Sequence, residues 1–114
     1  MGAREDIAAA ASGVDGVECS EFYSGATKPG SAWVERARTT YDPGLHPSYG
    51  AKPFWRVRVV MPQDIPKAER WIEDNQDTLV AALHEAMAVT TATPETLTLA
   101  DNQSMKVLTI DGHT

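Results

Sequence analysis

The residues that could carry chemistry in this sequence are three histidines, one cysteine and a surplus of carboxylates. His46, His84 and His113 lack the spacing of metal ligands, and Glu85, the one acidic residue near His84, is its direct neighbour and projects from another side of a helix. Cys19 is the only thiol, so the chain forms no intrachain disulfide and no thiolate cluster. The pattern predicts no metal site and no activated cysteine nucleophile.

The remaining motifs also give no sign of catalysis. The serines are not set in a G-x-S-x-G turn, and the sequence contains neither a P-loop nor a G-x-G-x-x-G segment. Glu73, Asp74 and Asp77 fall on the surface of a predicted helix, where a solvated face is the simpler interpretation than a pair of catalytic acids. We therefore expect a protein that is not an enzyme and uses no cofactor, and we keep an uncharacterised enzyme as an alternative hypothesis.

Length and charge restrict the class of protein further. The chain has 114 residues, which predicts a single domain over residues 1–114. Its net charge of −6 is unfavourable for a surface that binds DNA by neutralising phosphates. No apolar run approaches the roughly 20 residues that span a bilayer, and the acidic start of the chain does not resemble a secretory signal. We expect no membrane contact, and an unreactive Cys19 in a reducing cytoplasm.

The elements that must position these residues follow from periodicity and from turn residues. A short helix is predicted over 3–12, with Ser12-Gly13 as its end. Strands are predicted over 17–24, 31–41 and 54–61, a long helix runs from about Ile65 to Met87 after an Asp64 cap, and a closing hairpin follows. This α-β-β-β-α-β-β order predicts an α+β domain, with a mostly antiparallel sheet of about five strands and the long helix on one face. Residues 42–53 hold three prolines and two glycines, which predicts a long loop.

Alternation along the strands predicts which side chains are buried. In the third strand, Trp55, Val57, Val59 and Met61 share one face, which we assign to the core. Pro94 places its strand at an edge of the sheet or at a bulge. The three tryptophans lie on apolar faces of three elements, so joint core packing is a better interpretation than a ligand cage.

The second and third strands also carry two arginine pairs. Arg36 and Arg38, like Arg56 and Arg58, are two residues apart, so neighbouring strands would place all four on one sheet face. Arginine is favoured at interfaces, and the acidic helix face of a second copy would complement such a surface. The equally good alternative is that these four arginines are solvated and contact no partner. The candidate interface therefore comprises Arg36, Arg38, Arg56, Arg58, Asp74 and Asp77, with Leu45 and Tyr49 on the long loop as further contact residues.

Three segments together resemble a known family. They are "KPGSAWVE" before the Pro/Gly-rich loop, the strand "FWRVRVVMPQD" and the helix "AERWIEDNQDTLVAALHEAM". With this order of elements, the chain is similar over roughly residues 5 to 111 to the tail terminator proteins of long-tailed bacteriophages, especially those that infect actinobacteria. The shared motifs are structural and include a W-x-V-x-V strand that ends in P-Q-D.

The resemblance implies a structural virion protein. Tail terminators form a hexameric ring on the completed tail tube, stop tube polymerisation and present the surface that joins the head. The implied partners are other copies of the chain, the major tail tube protein and the neck proteins, at the head-proximal end of the tail after assembly in the host cytoplasm. DNA would pass through the ring lumen without specific binding, and the family has no cofactor and no catalytic residues to carry over. The alternatives are a head–tail connector or stopper of the neck, and a small binding domain.

Overall fold

Over residues 2–41, 51–100 and 102–114, which the computed structural model describes, the chain forms two helices and one five-stranded sheet. The strand order is β1-β2-β3-β5-β4; β1 pairs with β2 in parallel, and the other pairings are antiparallel. The predicted α+β class and element order are confirmed. In chain order the elements are α1 (Ala3–Ser12), β1 (Glu18–Ser20), β2 (Ser31–Thr40), β3 (Lys52–Val60), α2 (Ile65–Leu83), β4 (Ala88–Thr98) and β5 (Ser104–His113).

Helix α2 begins where the sequence predicts and ends earlier. The Asp64 carboxylate accepts a hydrogen bond from the Lys67 backbone N–H at 3.4 Å, as expected of an N-cap. The prediction that the helix continues to Met87 is wrong, because it ends at Leu83 and the chain turns so that Ala88 can pair with His113. Tertiary pairing therefore overrides a helical pattern that local spacing alone would extend.

Helix α1 has the predicted bounds but a different end. Gly13 caps it with φ of −71°, in the right-handed region, so the left-handed conformation that glycine often takes at this position is not used. Gly16, three residues later, adopts φ of +82° in the turn that leads to β1. Strand β1 is shorter than predicted, with only Glu18–Ser20 paired to β2.

The predicted long loop 42–53 is partly replaced by strand. Strand β3 begins at Lys52, and Pro53 pairs with Thr39. The strand tolerates this proline because pairing with β5 starts only at Phe54, so the missing N–H of Pro53 faces no neighbour on that side. Leu45 and Tyr49, the proposed contact residues of the loop, lie outside the described residues.

Both helices pack on one side of the sheet, which we call the helix face. Its core includes Trp55, Val57, Val59 and Met61, each at most 4% exposed, so the predicted core face of β3 is confirmed. The joint packing of the three tryptophans is wrong, because Trp33 lies on the opposite side in a separate cluster with Val60, Met105 and Val107. We call that opposite side the open face, since no described helix covers it.

Candidate assembly surfaces

The four arginines of β2 and β3 do not share one sheet face. Arg36 pairs with Trp55 on the helix face, whereas Arg38 pairs with Phe54 on the open face. A β-bulge between Arg36 and Arg38 inserts one extra residue, Ala37, and reverses the side to which the strand's later side chains point. The predicted four-arginine surface is therefore wrong. Arg38, Arg56 and Arg58 remain together on the open face.

Two of these arginines are neutralised within the chain. Arg56 Nε donates a 2.8 Å hydrogen bond to Asp111 Oδ1, and this bond raises the pKa of Arg56 above its ordinary value. Arg58 lies between two carboxylates, with Nε 3.2 Å from Glu35 Oε2 and Nη1 3.8 Å from Glu95 Oε2. The Arg58 side chain is only 13% exposed. These ion pairs run across the open face. Because Arg56 and Arg58 already pair with carboxylates of their own chain, they are not available to the partner that the sequence suggested.

Arg36 and Arg38 are held differently, by aromatic rings. The Arg36 guanidinium lies 4.7 Å from the centroid of the Trp55 ring, and the Arg38 guanidinium lies 4.5 Å from that of Phe54. Both arginines are exposed, and no carboxylate of the described chain forms an ion pair with either one. Lys52, also exposed, lies 5.7 Å from the Phe54 ring. This basic end of the β2–β3 pair, Arg36, Arg38 and Lys52, is free to meet an acidic partner.

The acidic counterpart is on α2. Glu69, Glu73 and Asp77 follow one another at intervals of four residues, so they lie along one flank of the helix. All three are exposed, and so is Asp74, which projects from another side. Within the described part of the chain, none of these four carboxylates is in an ion pair. We call Glu69, Glu73 and Asp77 the acidic flank; Asp77 belongs to the predicted interface, and Glu69 and Glu73 are additions that helical periodicity could have supplied.

An apolar groove lies on the open face near the end of β1. Tyr23 packs against Trp33 with ring centroids 4.7 Å apart, and Leu97, Leu99 and Met105 of the β4–β5 hairpin close the other side. The groove encloses about 610 Å³. Sequence reasoning missed Phe22 and Tyr23 as surface residues, because both were placed inside a strand that in fact ends at Ser20. The alternation pattern did not indicate that Phe22 is 66% exposed and Tyr23 is 50% exposed.

In the part of the chain that the structure describes, residues with reactive side chains are not gathered into a site. Cys19 is a free, half-buried thiol, and burial raises its pKa to about 12, which leaves very little nucleophilic thiolate at neutral pH. Among the described residues, no three histidine, cysteine or acidic side chains are close enough to hold a metal ion. No described helix is both long and apolar enough to cross a membrane.

Comparison with known proteins assigns this chain to no family. No protein-family model matches the sequence, and no curated protein does either.

Proposed function

We propose that this protein is a structural component of a long-tailed phage virion, which forms a ring of copies at the head-proximal end of the tail tube. The ring ends tube polymerisation and joins the tail to the neck proteins and the head. Support comes from the segments "KPGSAWVE" and "FWRVRVVMPQD" and from the W-containing helix, which resemble those of tail terminators. The proposal assigns no catalysis and no cofactor to the chain.

The observation that carries this proposal is the separation of free charge on one chain. Among the described residues, exposed cations without carboxylate partners lie at the end of β2–β3, and exposed carboxylates without cationic partners lie on α2. A closed ring requires two different patches on each subunit, so that one patch meets the other on the next copy. The basic end and the acidic flank supply such a pair, and complementary charge favours correct association over competing contacts.

The overall charge supports the same proposal from another direction. DNA must pass through the lumen of a terminator ring without being held there. The chain carries a net charge of −6, and a negative surface repels phosphates rather than releasing counterions to bind them.

Electron microscopy of virions that lack the protein provides the direct test. We expect particles with overlong tails that are not joined to heads, together with rings of the purified protein on tail tubes. Tails of normal length that fail only to bind filled heads would assign the protein to the neck as a connector. A protein that is monomeric alone and also when mixed with tail tubes would overturn the ring.

Charge reversal tests the contact that the proposal requires. We expect Arg36→Glu to weaken association of the copies by about 10-fold or more, because it places like charges in one interface. Combining Arg36→Glu with Glu73→Arg should restore most of the association. Equilibrium sedimentation at several salt concentrations measures both, and the wild-type association should weaken as salt rises.

Lys28→Glu is the matched control for this reversal. Lys28 is exposed and lies in the connection between β1 and β2, so the variant changes the net charge equally without touching the basic end. Arg56→Glu is unsuitable, because it would set a second carboxylate against Asp111 and destabilise the subunit itself. If Arg36→Glu and Lys28→Glu weaken association equally, the weakening results from the change in net charge. The proposed contact between the basic end and the acidic flank is then wrong.

A further inference from the structure

Two exposed apolar patches lie at opposite edges of the sheet. Phe22 follows β1, at one edge, and is 66% exposed. Ile65, at the start of α2, is also 66% exposed and lies beside β4, at the other edge. Apolar side chains that are exposed singly are normal on a monomer, so the surroundings of Phe22 and Ile65 decide whether each one forms a contact.

The patch at Ile65 is concave. A cleft of about 200 Å³ opens between the first half of α2 and the middle of β4, and we call it the α2–β4 cleft. A cavity on the order of 150 Å³ is large enough to hold a benzene ring. The cleft therefore has room for one aromatic side chain. Its apolar lining consists of Met61, Ile65, Ala68, Ile72 and Pro94.

The patch at Phe22 projects and is held in place. The Arg4 guanidinium lies 4.2 Å from the centroid of the Phe22 ring and covers one side of it. Arg4 Nη1 is itself fixed, because it donates hydrogen bonds of 2.8 Å to the carbonyl oxygens of Glu21 and Val34. A ring that is already ordered loses little conformational entropy on binding, which favours its use as an anchor.

The charged groups around the two patches are complementary. Arg4, Arg36 and Glu35 border the groove beside Phe22, which leaves an excess of positive charge there. At the α2–β4 cleft, Lys106 balances Glu69, and the Glu95 carboxylate is paired with Arg58 on the open face, so the excess negative charge beside the cleft comes from Glu73 and Asp77 of the acidic flank. The acidic flank of α2 continues from Glu69, so the polar contacts of the proposed ring and this apolar contact would lie side by side.

Strand addition at the β4 edge is the competing mode, and Pro94 argues against it. Leu99 N–H donates to the Gln103 carbonyl, so the alternation of the ladder directs the backbone of Thr98, Thr96 and Pro94 outward. Proline has no backbone N–H, so at Pro94 the outward side of the strand cannot donate a hydrogen bond to an added strand. Proline in an edge strand is a common means of preventing strand addition, so the contact at this edge is made by side chains.

We propose that Phe22 of one copy inserts into the α2–β4 cleft of the next copy. The inference builds on the proposed ring, since it names the anchor of its subunit contact. A projecting side chain and a cavity at different places on one molecule generate a head-to-tail contact, which closes into a ring when the rotation permits. In a twofold pair, both Phe22 side chains would have to enter the partner's cleft at the same time, and the positions of Phe22 and the cleft at opposite edges of the sheet are unfavourable for that arrangement.

Substitution at both ends of the contact tests the anchor. We expect Phe22→Ser and Ile65→Asp each to weaken self-association by about 100-fold, through loss of apolar burial and through a charge placed in the cleft. Both positions are exposed, and an acidic residue in the first turn favours the start of a helix, so both monomers should keep their thermal stability. Lys28→Ser, at an exposed residue in the same β1–β2 connection as Phe22 and away from the basic end, is the control and should associate as the wild type does. Sedimentation equilibrium measures all four proteins.

Disulfide cross-linking tests the direction of the contact. In a Cys19→Ser background, we expect a chain with both Phe22→Cys and Ile65→Cys to form a ladder of linked copies on oxidation. Either cysteine variant alone should remain unlinked. Linking by Phe22→Cys alone would show a twofold contact and overturn the inference.

The remaining outcomes separate this inference from the proposed function. A ring that forms normally with Phe22→Ser and Ile65→Asp overturns the anchor but leaves the terminator proposal intact. If these variants assemble normally and fail only to bind tail tubes, the cleft belongs to a contact with the tube protein and the inference is wrong. A wild-type protein that stays monomeric at every concentration, alone and also when mixed with tail tubes, overturns both the ring and self-association through this cleft.

Discussion

Gly30→Ala should lower the free energy of unfolding by at least about 3 kcal/mol, as measured by urea denaturation followed through tryptophan fluorescence. Gly30 has φ of +94°, a conformation that costs an L-residue about 1–2 kcal/mol. A Cβ added there would lie 2.1 Å from the Gly16 carbonyl oxygen, so part of the backbone would have to move. Because of this clash, the loss in the free energy of unfolding should exceed the conformational cost alone.

The backbone around Gly30 cannot move without breaking contacts between strands. Its carbonyl accepts a 3.0 Å hydrogen bond from Glu18 of β1, and its N–H donates a 2.9 Å bond to Val60 of β3. Lys28 to Ser31 form a turn with a 3.0 Å bond between the Ser31 N–H and the Lys28 carbonyl, in which proline and then glycine take the central positions of a type II turn. Gly30 thus joins three strands at one point, next to the segment that carries Phe22.

Gly25→Ala separates conformational strain from the steric clash. Gly25 has φ of +82°, close to that of Gly30, but an added Cβ would meet no atom within 4 Å. We expect this variant to lose only the conformational cost, about 1–2 kcal/mol. Equal losses at the two glycines would show that the close approach to Gly16 contributes nothing.

Leu79→Ala is the other substitution with a large expected effect. Leu79 is fully buried at the centre of the contact between α2 and the helix face, so its truncation removes apolar burial and leaves a cavity. Substitutions of this kind cost about 2–5 kcal/mol. The loss should appear as a lower urea midpoint with an unchanged slope.

Ile65→Ala is the control on the same helix. Ile65 follows the same 3–4 spacing as Leu79 along α2, but it is 66% exposed at the start of the helix. At a concentration where the protein is monomeric, we expect Ile65→Ala to change the free energy of unfolding by less than about 0.5 kcal/mol. A loss as large as that of Leu79→Ala would place Ile65 in the core after all.

The arginines show how far sequence reasoning reaches a candidate interface. Spacing identified Arg36, Arg38, Arg56 and Arg58 as a group, and pairing of β2 with β3 confirms that their strands are neighbours. Spacing could not reveal the single extra residue of the bulge, and a shift of one residue reverses the side of every side chain after it. It also could not reveal that Asp111, which is 55 residues from Arg56 in the chain, neutralises it.

The sequence by itself determined the features that depend on local spacing and local chemistry. These include the order of helices and strands, the Asp64 cap of α2, the buried alternation of β3 and the edge position of Pro94. The tertiary structure alone decided which side chains remain uncovered and unpaired. Phe22 and Ile65 are apolar and yet exposed because no described element packs over them, and the bulge puts Arg36 and Arg38 on opposite faces of the sheet, where no described carboxylate pairs with them. Whether a side chain is covered or paired depends on residues that are distant in the chain. The spacing of hydrophobic residues along the chain carries no information about those distant partners.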